Sequence, residues 1–178
     1  RRQGTRVALI RLNYSVEFRY GLLVDLAQKV FRGEPVDVTT GYVNVIWQRD
    51  GVDHTIRALE LAGSPAVPVN VTGPAILSVR KLAARFGEIF DRPVTFTGRE
   101  ADTAWLNDAA DSHRRFGVPP TAVEEMQQWI AAWLRSDSVS RYAADRALAL
   151  AGRVPVNEAR LFQAWSAYVY GQGDRAEE

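Results

Sequence analysis

The sequence predicts an α/β fold in which short strands alternate with amphipathic helices, followed by a helical C-terminal region. Three observations support this prediction. The run Arg6–Leu12 is short, apolar and rich in β-forming residues. Between residues 20 and 97, segments with helical spacing of apolar residues alternate with extended segments. Beyond residue 100 the strand signals fade and helical patterns remain.

The first elements follow from local patterns. Arg6–Leu12 is predicted to be a strand covered on both faces, as in a parallel sheet. A helix is predicted from Tyr20, because apolar residues recur at helical spacing: Leu23, Leu26, Ala27, Val30 and Phe31. Gly33 stands where a C-terminal helix glycine belongs. Extended segments follow at Val36–Thr39 and Tyr42–Trp47.

A second helix is predicted to begin at Asp50, whose carboxylate can cap the free backbone N–H groups of the first turn. We expect its apolar face to consist of Val52, Ile56 and Leu59. Val67–Val71 is predicted to be a further strand. Ser78 is a strong N-cap for the third helix.

The remaining patterns are helical. Asp108–Phe116 is predicted to be a helix, and Thr121 with Glu124 is expected to form a capping box at the start of the next one. That helix contains Trp129 and Trp133, whose spacing favours core packing over an aromatic binding face. Two more helices are predicted near 139–151 and 157–170, and the polar tail 171–178 is expected to fray.

Composition excludes several classes of protein. The 178 residues carry 22 Lys+Arg against 21 Asp+Glu, and no basic stripe is present, so nucleic-acid binding is disfavoured. No apolar run is long enough to span a bilayer, which disfavours a membrane partner. The sequence has no Cys, so disulfides and thiol catalysis are excluded, and a cytoplasmic location is favoured.

Known catalytic and metal-binding motifs are missing from the sequence. It has no P-loop, no G-x-G-x-x-G turn, no H-E-x-x-H and no G-x-S-x-G. The two histidines, His54 and His113, are isolated in sequence, so a packed or solvated role is expected for each, and no metal site is predicted. Polar and aromatic residues do gather at the ends of the predicted strands, where ligands of α/β proteins sit. Local turn formation explains such residues equally well.

Six segments, read together, resemble the second half of the NAD-dependent epimerase/dehydratase family, the extended short-chain dehydrogenase/reductases. They occur in the family's order and at about its spacing over residues 6–135: Arg11–Tyr14, Arg19–Gly21, Gly33–Pro35, Gly41–Asp50, Val69–Pro74 and Ser78–Leu82. The resemblance implies the last strand of a Rossmann-type sheet with its loop in residues 1–20. It further implies a small α/β substrate-binding domain in 21–135 and a helical extension in 136–178.

The resemblance also implies site residues. Asn13 and Tyr14 would lie near the substrate, and Asn13 also near the nicotinamide end of NAD or NADP. Asn44, Trp47 and Gln48 would lie on the substrate side of the cleft. The Arg-Asp-Phe common in the family is replaced by Val43-Asn44-Val45. The sequence therefore does not distinguish a nucleotide-sugar substrate from a sugar, a sugar acid or another small hydroxy or keto compound.

The family's glycine-rich cofactor turn and its catalytic Tyr-x-x-x-Lys are not in this sequence, and both precede Arg6 in the family order. We therefore expect the chain to be part of a longer enzyme, to lack activity alone and to bind no cofactor tightly without the missing N-terminal Rossmann half. A homo-oligomer is compatible with the sequence. The alternative is a non-catalytic ligand-binding or interaction module derived from the same fold.

Overall fold

The computed structural model describes residues 4–136. The chain divides into two compact units, Arg1–Ala131 and Ala132–Glu178. The predicted helices near 139–151 and 157–170 lie outside the described residues. The predicted α/β class is confirmed, since helices alternate with short, mostly parallel strand pairs.

The elements are short and follow the predicted order. The strands are β1 (Ala8–Leu12), β2 (Ser15–Val16), β3 (Val36–Asp37), β4 (Tyr42–Val43), β5 (Ile46–Trp47), β6 (Val67–Val71), β7 (Leu77–Ser78) and β8 (Phe96–Thr97). The helices are α1 (Leu22–Arg32), α2 (Gln48–Arg57), α3 (Val79–Phe90), α4 (Ala110–Phe116) and α5, described over 123–136. A 3-10 turn, Ala58–Leu61, follows α2.

The strands pair two by two. β1 lies parallel to β6, with Ala8 opposite Val67 and Leu12 opposite Val71. β2 pairs with β5 and β3 with β8, both parallel, whereas β4 pairs with β7 antiparallel. The β1–β6 pair is the longest, and its carboxyl ends point to one edge, where the candidate site lies.

Helix ends follow the predicted chemistry at two places. Gly33 ends α1 in the left-handed conformation, at φ 73°, which glycine adopts without a steric penalty. The Ser78 side chain accepts a hydrogen bond from the backbone N–H of Lys81 and caps α3. α1 and α3 pack against each other, with the rings of Phe31 and Phe90 5.1 Å apart.

Three predictions about helix starts and faces are wrong. α2 begins at Gln48, so Asp50 lies inside the helix, and its buried carboxylate accepts from the backbone N–H of Thr121. The capping box before α5 is displaced by one residue, because Glu125 and not Glu124 accepts from the N–H of Ala122. The residues predicted to form the apolar face of α2, namely Val52, Ile56 and Leu59, are exposed.

The faces of β1 also differ from the prediction. We expected cover on both faces, yet Leu9 and Leu12 are about half exposed. Ile10 does pack inward, against the buried cluster of Ile46, Ala58, Val69 and Val71. The strand therefore buries only part of its apolar surface within residues 4–136.

None of the helices in that range is long and apolar enough to cross a bilayer.

Candidate functional site

The candidate site begins where β1 and β6 end. Both strands run in the same direction, so the residues that follow them meet at one edge of the pair. Asn13 follows β1, and its backbone N–H continues the ladder by donating to the carbonyl of Val71. Asn70 lies in the last part of β6. This edge is where the sequence predicted ligand contacts.

Three asparagines from distant parts of the chain meet there, and we call Asn13, Asn44 and Asn107 the asparagine cluster. The side-chain amide of Asn13 donates to Oδ1 of Asn44 over 2.6 Å. The amide of Asn44 donates to the carbonyl of Asn107 over 2.7 Å, and the amide of Asn107 donates to the carbonyl of Arg11, also over 2.7 Å. The cluster ties the end of β1 to the β4–β5 connection and to the loop before α4.

Asn44 is the buried member of the cluster, with 4% of its surface exposed. Its Oδ1 accepts from Asn13 and, over 3.3 Å, from the backbone N–H of Asn107. Both lone-pair directions of this oxygen are therefore used inside the protein. Asn44 therefore holds the loop that contains Asn107, and Oδ1 of Asn44 is not available to accept a hydrogen bond from a ligand.

Asn13 is only half-buried, and its amide has a second acceptor, the carbonyl of Trp105 at 3.3 Å. Both amide hydrogens are thereby engaged. The remaining polar atom of the side chain, Oδ1, is an acceptor that suits a hydroxyl or amide donor. Contact between Asn13 and a ligand stays a prediction.

The loop that carries Trp105 and Asn107 is also held from β6. The Asn70 amide donates to the carbonyl of Asp108 over 2.7 Å, and the Asp108 carboxylate accepts from the backbone N–H of Ala110 at the start of α4. Trp105 itself is 84% exposed. The backbone of this loop is thus fixed at several points while a large aromatic side chain faces solvent.

Tyr14 follows Asn13 in a left-handed backbone conformation, with φ 40°. Such a conformation costs a non-glycine residue free energy and clusters at functional sites. The carbonyl of Tyr14 accepts from the backbone N–H of Ile46, so the turn is tied to β5. The structure therefore places this predicted site residue beside the asparagine cluster, on a strained turn.

Trp47 and Gln48, the other two predicted site residues, lie at the junction of β5 and α2. The Trp47 ring is largely buried and packs edge-to-face between Phe18, 5.2 Å away, and Trp129, 5.5 Å away. Oε1 of Gln48 accepts from the hydroxyl of Tyr20 over 3.0 Å. These contacts give both residues a structural partner within the protein, and their contact with substrate stays a prediction.

A cleft of about 340 Å³ opens next to the asparagine cluster. Its wall includes the polar residues Asn44, Asn107 and Asp108, the Gly73-Pro74 turn, and the apolar residues Ile76 and Leu106. His113 also lines it, and its Nε2 lies 2.9 Å from the carbonyl of Thr72 just after β6. The cleft therefore combines hydrogen-bonding groups with apolar surface.

The two histidines that are isolated in sequence lie near each other in the structure. The rings of His54 and His113 are 6.1 Å apart, and His54 is 2% exposed. Burial lowers the pKa of His54 below its usual 6.5, and the neighbouring His113 lowers it further. Nδ1 of His54 has no hydrogen-bond partner within residues 4–136. Across that range no group of three or more His, Cys, Asp or Glu is placed to hold a metal.

Sequence reasoning missed the loop residues Trp105, Asn107 and Asp108. The signal available was the run Trp105–Asp108, in which an aromatic residue precedes an Asn-Asp pair before a helix. Nothing in one sequence shows that this loop returns to Asn13, 92 residues earlier in the chain. Only the folded backbone brings the two together.

No protein-family model and no curated protein matches the sequence. Solved structures do match. One is UDP-glucuronic acid 4-epimerase from Bacillus cereus in complex with NAD, with TM-score 0.60 and 14% identity over 74% of this chain. Another is UDP-glucose 4-epimerase from Thermotoga maritima with UDP-glucose, with TM-score 0.59 and 18% identity over 74% of this chain.

The chain has a fold similar to part of these epimerase structures. A further structure with this likeness is RMD from Pseudomonas aeruginosa complexed with NADPH, with TM-score 0.59, 16% identity and 74% of this chain covered. The match spans 44%, 46% and 49% of the three neighbours, so this chain corresponds to less than half the length of each. The resemblance read from the sequence is confirmed at the level of the fold.

Proposed function

We propose that this chain is the C-terminal, substrate-binding part of an NAD(P)-dependent epimerase, dehydratase or reductase that acts on a sugar or a small hydroxy or keto compound. The asparagine cluster is the observation that carries the proposal. It assembles polar side chains from three parts of the chain at the carboxyl ends of two parallel strands, next to a cleft. The epimerase fold and the NAD, NADPH and UDP-glucose bound by structural neighbours support it.

In this proposal Asn13 contacts the ligand through Oδ1, the atom that its internal hydrogen bonds leave available. That oxygen accepts from a sugar hydroxyl or from the carboxamide of the nicotinamide. Asn44 is a positioning residue, because it holds the loop of Trp105 and Asn107. Tyr14, Trp47 and Gln48 remain proposed substrate contacts on the same side.

Bound NAD or NADP supplies the acceptor for a hydride from the substrate carbinol. The sequence contains neither a glycine-rich phosphate-binding turn nor a Tyr-x-x-x-Lys pair. In the longer enzyme the glycine-rich turn and the Tyr-x-x-x-Lys pair therefore belong to the N-terminal cofactor-binding half. The role of this chain is to bind and orient the substrate. Oriented binding of this kind raises the rate because the reacting groups meet in a fixed geometry.

The test uses the open reading frame that encodes these residues together with its upstream codons. The purified protein is offered NAD or NADP with UDP-glucose, UDP-glucuronate and the free sugars, and nucleotide reduction and epimer formation are followed. We expect turnover of one sugar class and a loss of about 10-fold or more in kcat/KM for Asn13→Ala. The control variant Asp25→Ala, at an exposed position on α1, should keep kcat/KM within about threefold. No nucleotide-dependent turnover of any sugar would contradict the enzymatic role.

One observation favours a second function, a non-catalytic ligand-binding module. The described residues bury a core of their own, with Leu23, Ile46 and Phe86 fully enclosed. A chain that folds in this way can bind a ligand without a cofactor half. Sugar binding by the 178-residue chain alone, with an affinity that does not change when the upstream segment is present, would select this function.

A further inference from the structure

His113 is the histidine that lines the cleft beside the asparagine cluster. Its Nε2 lies 2.9 Å from the carbonyl oxygen of Thr72. A carbonyl oxygen can only accept a hydrogen bond, so Nε2 carries the hydrogen, and in the neutral ring Nδ1 is then the acceptor. The contact with Thr72 therefore fixes the tautomer of His113.

Nδ1 of His113 is available to a ligand. Within residues 4–136 the ring has no hydrogen bond besides the one to Thr72. Over the same residues, the one side-chain nitrogen or oxygen that is both buried and unpartnered is Nδ1 of His54, whereas His113 is half-buried. Nδ1 of His113 therefore reaches solvent, as an acceptor on a residue of the cleft wall.

Several N–H donors around the cleft are already used inside the protein. The backbone N–H of Asn107 donates to Oδ1 of Asn44, and that of Ala110 donates to Oδ1 of Asp108. The Nε2 hydrogen of His113 is also taken, by a main-chain carbonyl. Among the described residues, the acceptors that stay available include Nδ1 of His113 and Oδ2 of Asp108. A ligand that donates hydrogen bonds therefore suits this cleft better than one that only accepts them.

The charge of the cleft wall favours the same kind of ligand. Within residues 4–136 no Lys or Arg lines the cleft, and Asp108 is its one acidic residue. The carboxylate of Asp108 repels another acidic group placed beside it, and no cation of the wall offsets that repulsion. An uncharged ligand therefore fits better than an acid.

We propose that the cleft selects an uncharged sugar ring over a sugar acid, and that His113 determines this specificity by accepting a hydrogen bond from a sugar hydroxyl at Nδ1. This choice rests on the proposed function, which leaves the class of sugar open. A site that hydrogen-bonds a hydroxyl rejects an analogue without that donor, because its own polar group is then left unpaired. A sugar acid presents a carboxylate, which only accepts, to both His113 and Asp108.

Protonation of His113 should weaken this preference. It turns Nδ1 from an acceptor into a donor, which removes the bond to a hydroxyl and offers one to a carboxylate. The ring of His54 lies 6.1 Å away, and burial lowers the pKa of His54, so the first proton on the pair goes to His113.

Charged side chains near the two rings partly offset one another. Asp53 forms an ion pair with Arg57 over 2.9 Å, and Asp111 pairs with both Arg114 and Arg115 over 3.0 Å. The charged groups on the neighbouring turns and on the loop before α4 are Asp50, Asp53 and Arg57 on α2, Asp111, Arg114 and Arg115 on α4, and Asp108.

The test measures dissociation constants of UDP-glucose and UDP-glucuronate for the protein encoded by the full reading frame. The two ligands differ only in a hydroxymethyl or a carboxylate group on the sugar, and glucose with glucuronate is the matched pair for a protein that binds no nucleotide sugar. At about pH 8 the uncharged member should bind at least about 10-fold more tightly. At about pH 5.5 this ratio should fall by about threefold or more.

Two variants separate the histidines. In His113→Gln the side-chain amide can still donate to Thr72, so the Tm should be retained while the pH dependence of the ratio is lost. His54→Leu is the matched control, because it removes the other histidine of the pair and should keep the pH dependence of the ratio. Asp108→Asn removes the charge of the wall and should tighten the binding of UDP-glucuronate.

Three results would overturn the inference: tighter binding of the acid at about pH 8, a ratio that does not change with pH, or a pH dependence that survives in His113→Gln. Turnover of UDP-glucuronate in preference to UDP-glucose would keep the proposed function and remove the selectivity for an uncharged ring. The expected selectivity without turnover would keep the role of His113 and remove the enzymatic function. A protein that binds none of the four ligands would contradict both claims.

Discussion

The amide of Asn13 donates to Oδ1 of Asn44 over 2.6 Å, which joins two residues 31 apart in the sequence. The bond links the end of a parallel strand to a buried connection between β4 and β5. Asn44 then holds Asn107, 63 residues further on, through its amide and its oxygen. The shape of the candidate site therefore depends on one buried amide.

Asn44→Ala should destabilise the protein by about 2–4 kcal/mol, because it removes three hydrogen bonds and leaves buried partner groups unpaired. Urea unfolding measures the change. Asn70→Ala is the control, since its single bond to the Asp108 carbonyl is solvent-exposed and should be worth about 1 kcal/mol or less. Equal losses for the two variants would show that the cluster does not hold the loop.

Gly73→Ala should be poorly tolerated. A β-carbon at this position would collide with the carbonyl oxygen of Val45, to which the N–H of Gly73 already donates. Displacement of that backbone should cost about 1–3 kcal/mol, measured by thermal unfolding. Gly33→Ala is the comparison: its β-carbon meets nothing within 4 Å, and the cost comes only from φ 73°. A cost of about 1 kcal/mol is expected there.

Core and surface apolar residues should respond very differently to truncation. Phe86→Ala should lose about 3–5 kcal/mol, because the ring is fully buried and its removal leaves a cavity. Leu59→Ala should stay within about 0.5 kcal/mol in the 178-residue chain, since that side chain is exposed. Denaturant unfolding of both variants checks the assignment of the core. A large loss for Leu59→Ala would mean that α2 buries its apolar side after all.

The folded protein should become less stable as the pH falls, because of the protonation of His54. Its pKa is lowered in the folded protein by burial, by His113 and by Arg57, against the opposing charges of Asp53 and Asp50. The unfolded chain therefore takes up a proton near the usual pKa of 6.5 before the folded protein does. The free energy of unfolding should decrease as the pH falls from about 6.5 to the lower pKa of the folded protein. Above about pH 6.5 His54 should contribute no pH dependence to the free energy of unfolding.

The check is urea unfolding between about pH 8 and about pH 5. His54→Leu should flatten the slope in that window. The pKa values of the Asp37 and Asp111 carboxyls are also lowered, from a usual 3.8. The stability that these two groups contribute is therefore lost only at more acidic pH. An unchanged slope in His54→Leu would rule out His54 as the titrating group.

Much of the fold follows from local sequence rules. The helix that ends at Gly33 and the one capped by Ser78 were predictable because apolar spacing and cap chemistry act within one or two turns. The strand Val67–Val71 was likewise predicted with its observed bounds. These elements depend on neighbours along the chain, which the sequence displays directly.

The predictions are wrong where contacts between residues distant in the sequence determine the local structure. Asp50 has the chemistry of an N-cap, but the N–H of Thr121, 71 residues away, uses its carboxylate. Val52, Ile56 and Leu59 have the spacing of a buried face, and the described residues provide nothing that covers them. Asn13 and Asn44 were predicted as site residues, whereas their partner Asn107 reaches them only because the loop before α4 folds back onto β1 and Asn44.

The most direct test of the central claim is the side-chain amide NMR spectrum of the protein encoded by the full reading frame, titrated with the sugar or nucleotide sugar that it turns over. The account predicts shifts of the Asn13 and Asn107 amide signals, with the amide signal of Gln28 on α1 unchanged, and loss of the Asn107 shift in Asn13→Ala. Saturable binding that leaves the Asn13 and Asn107 signals unmoved would contradict the account, because the substrate would then bind elsewhere.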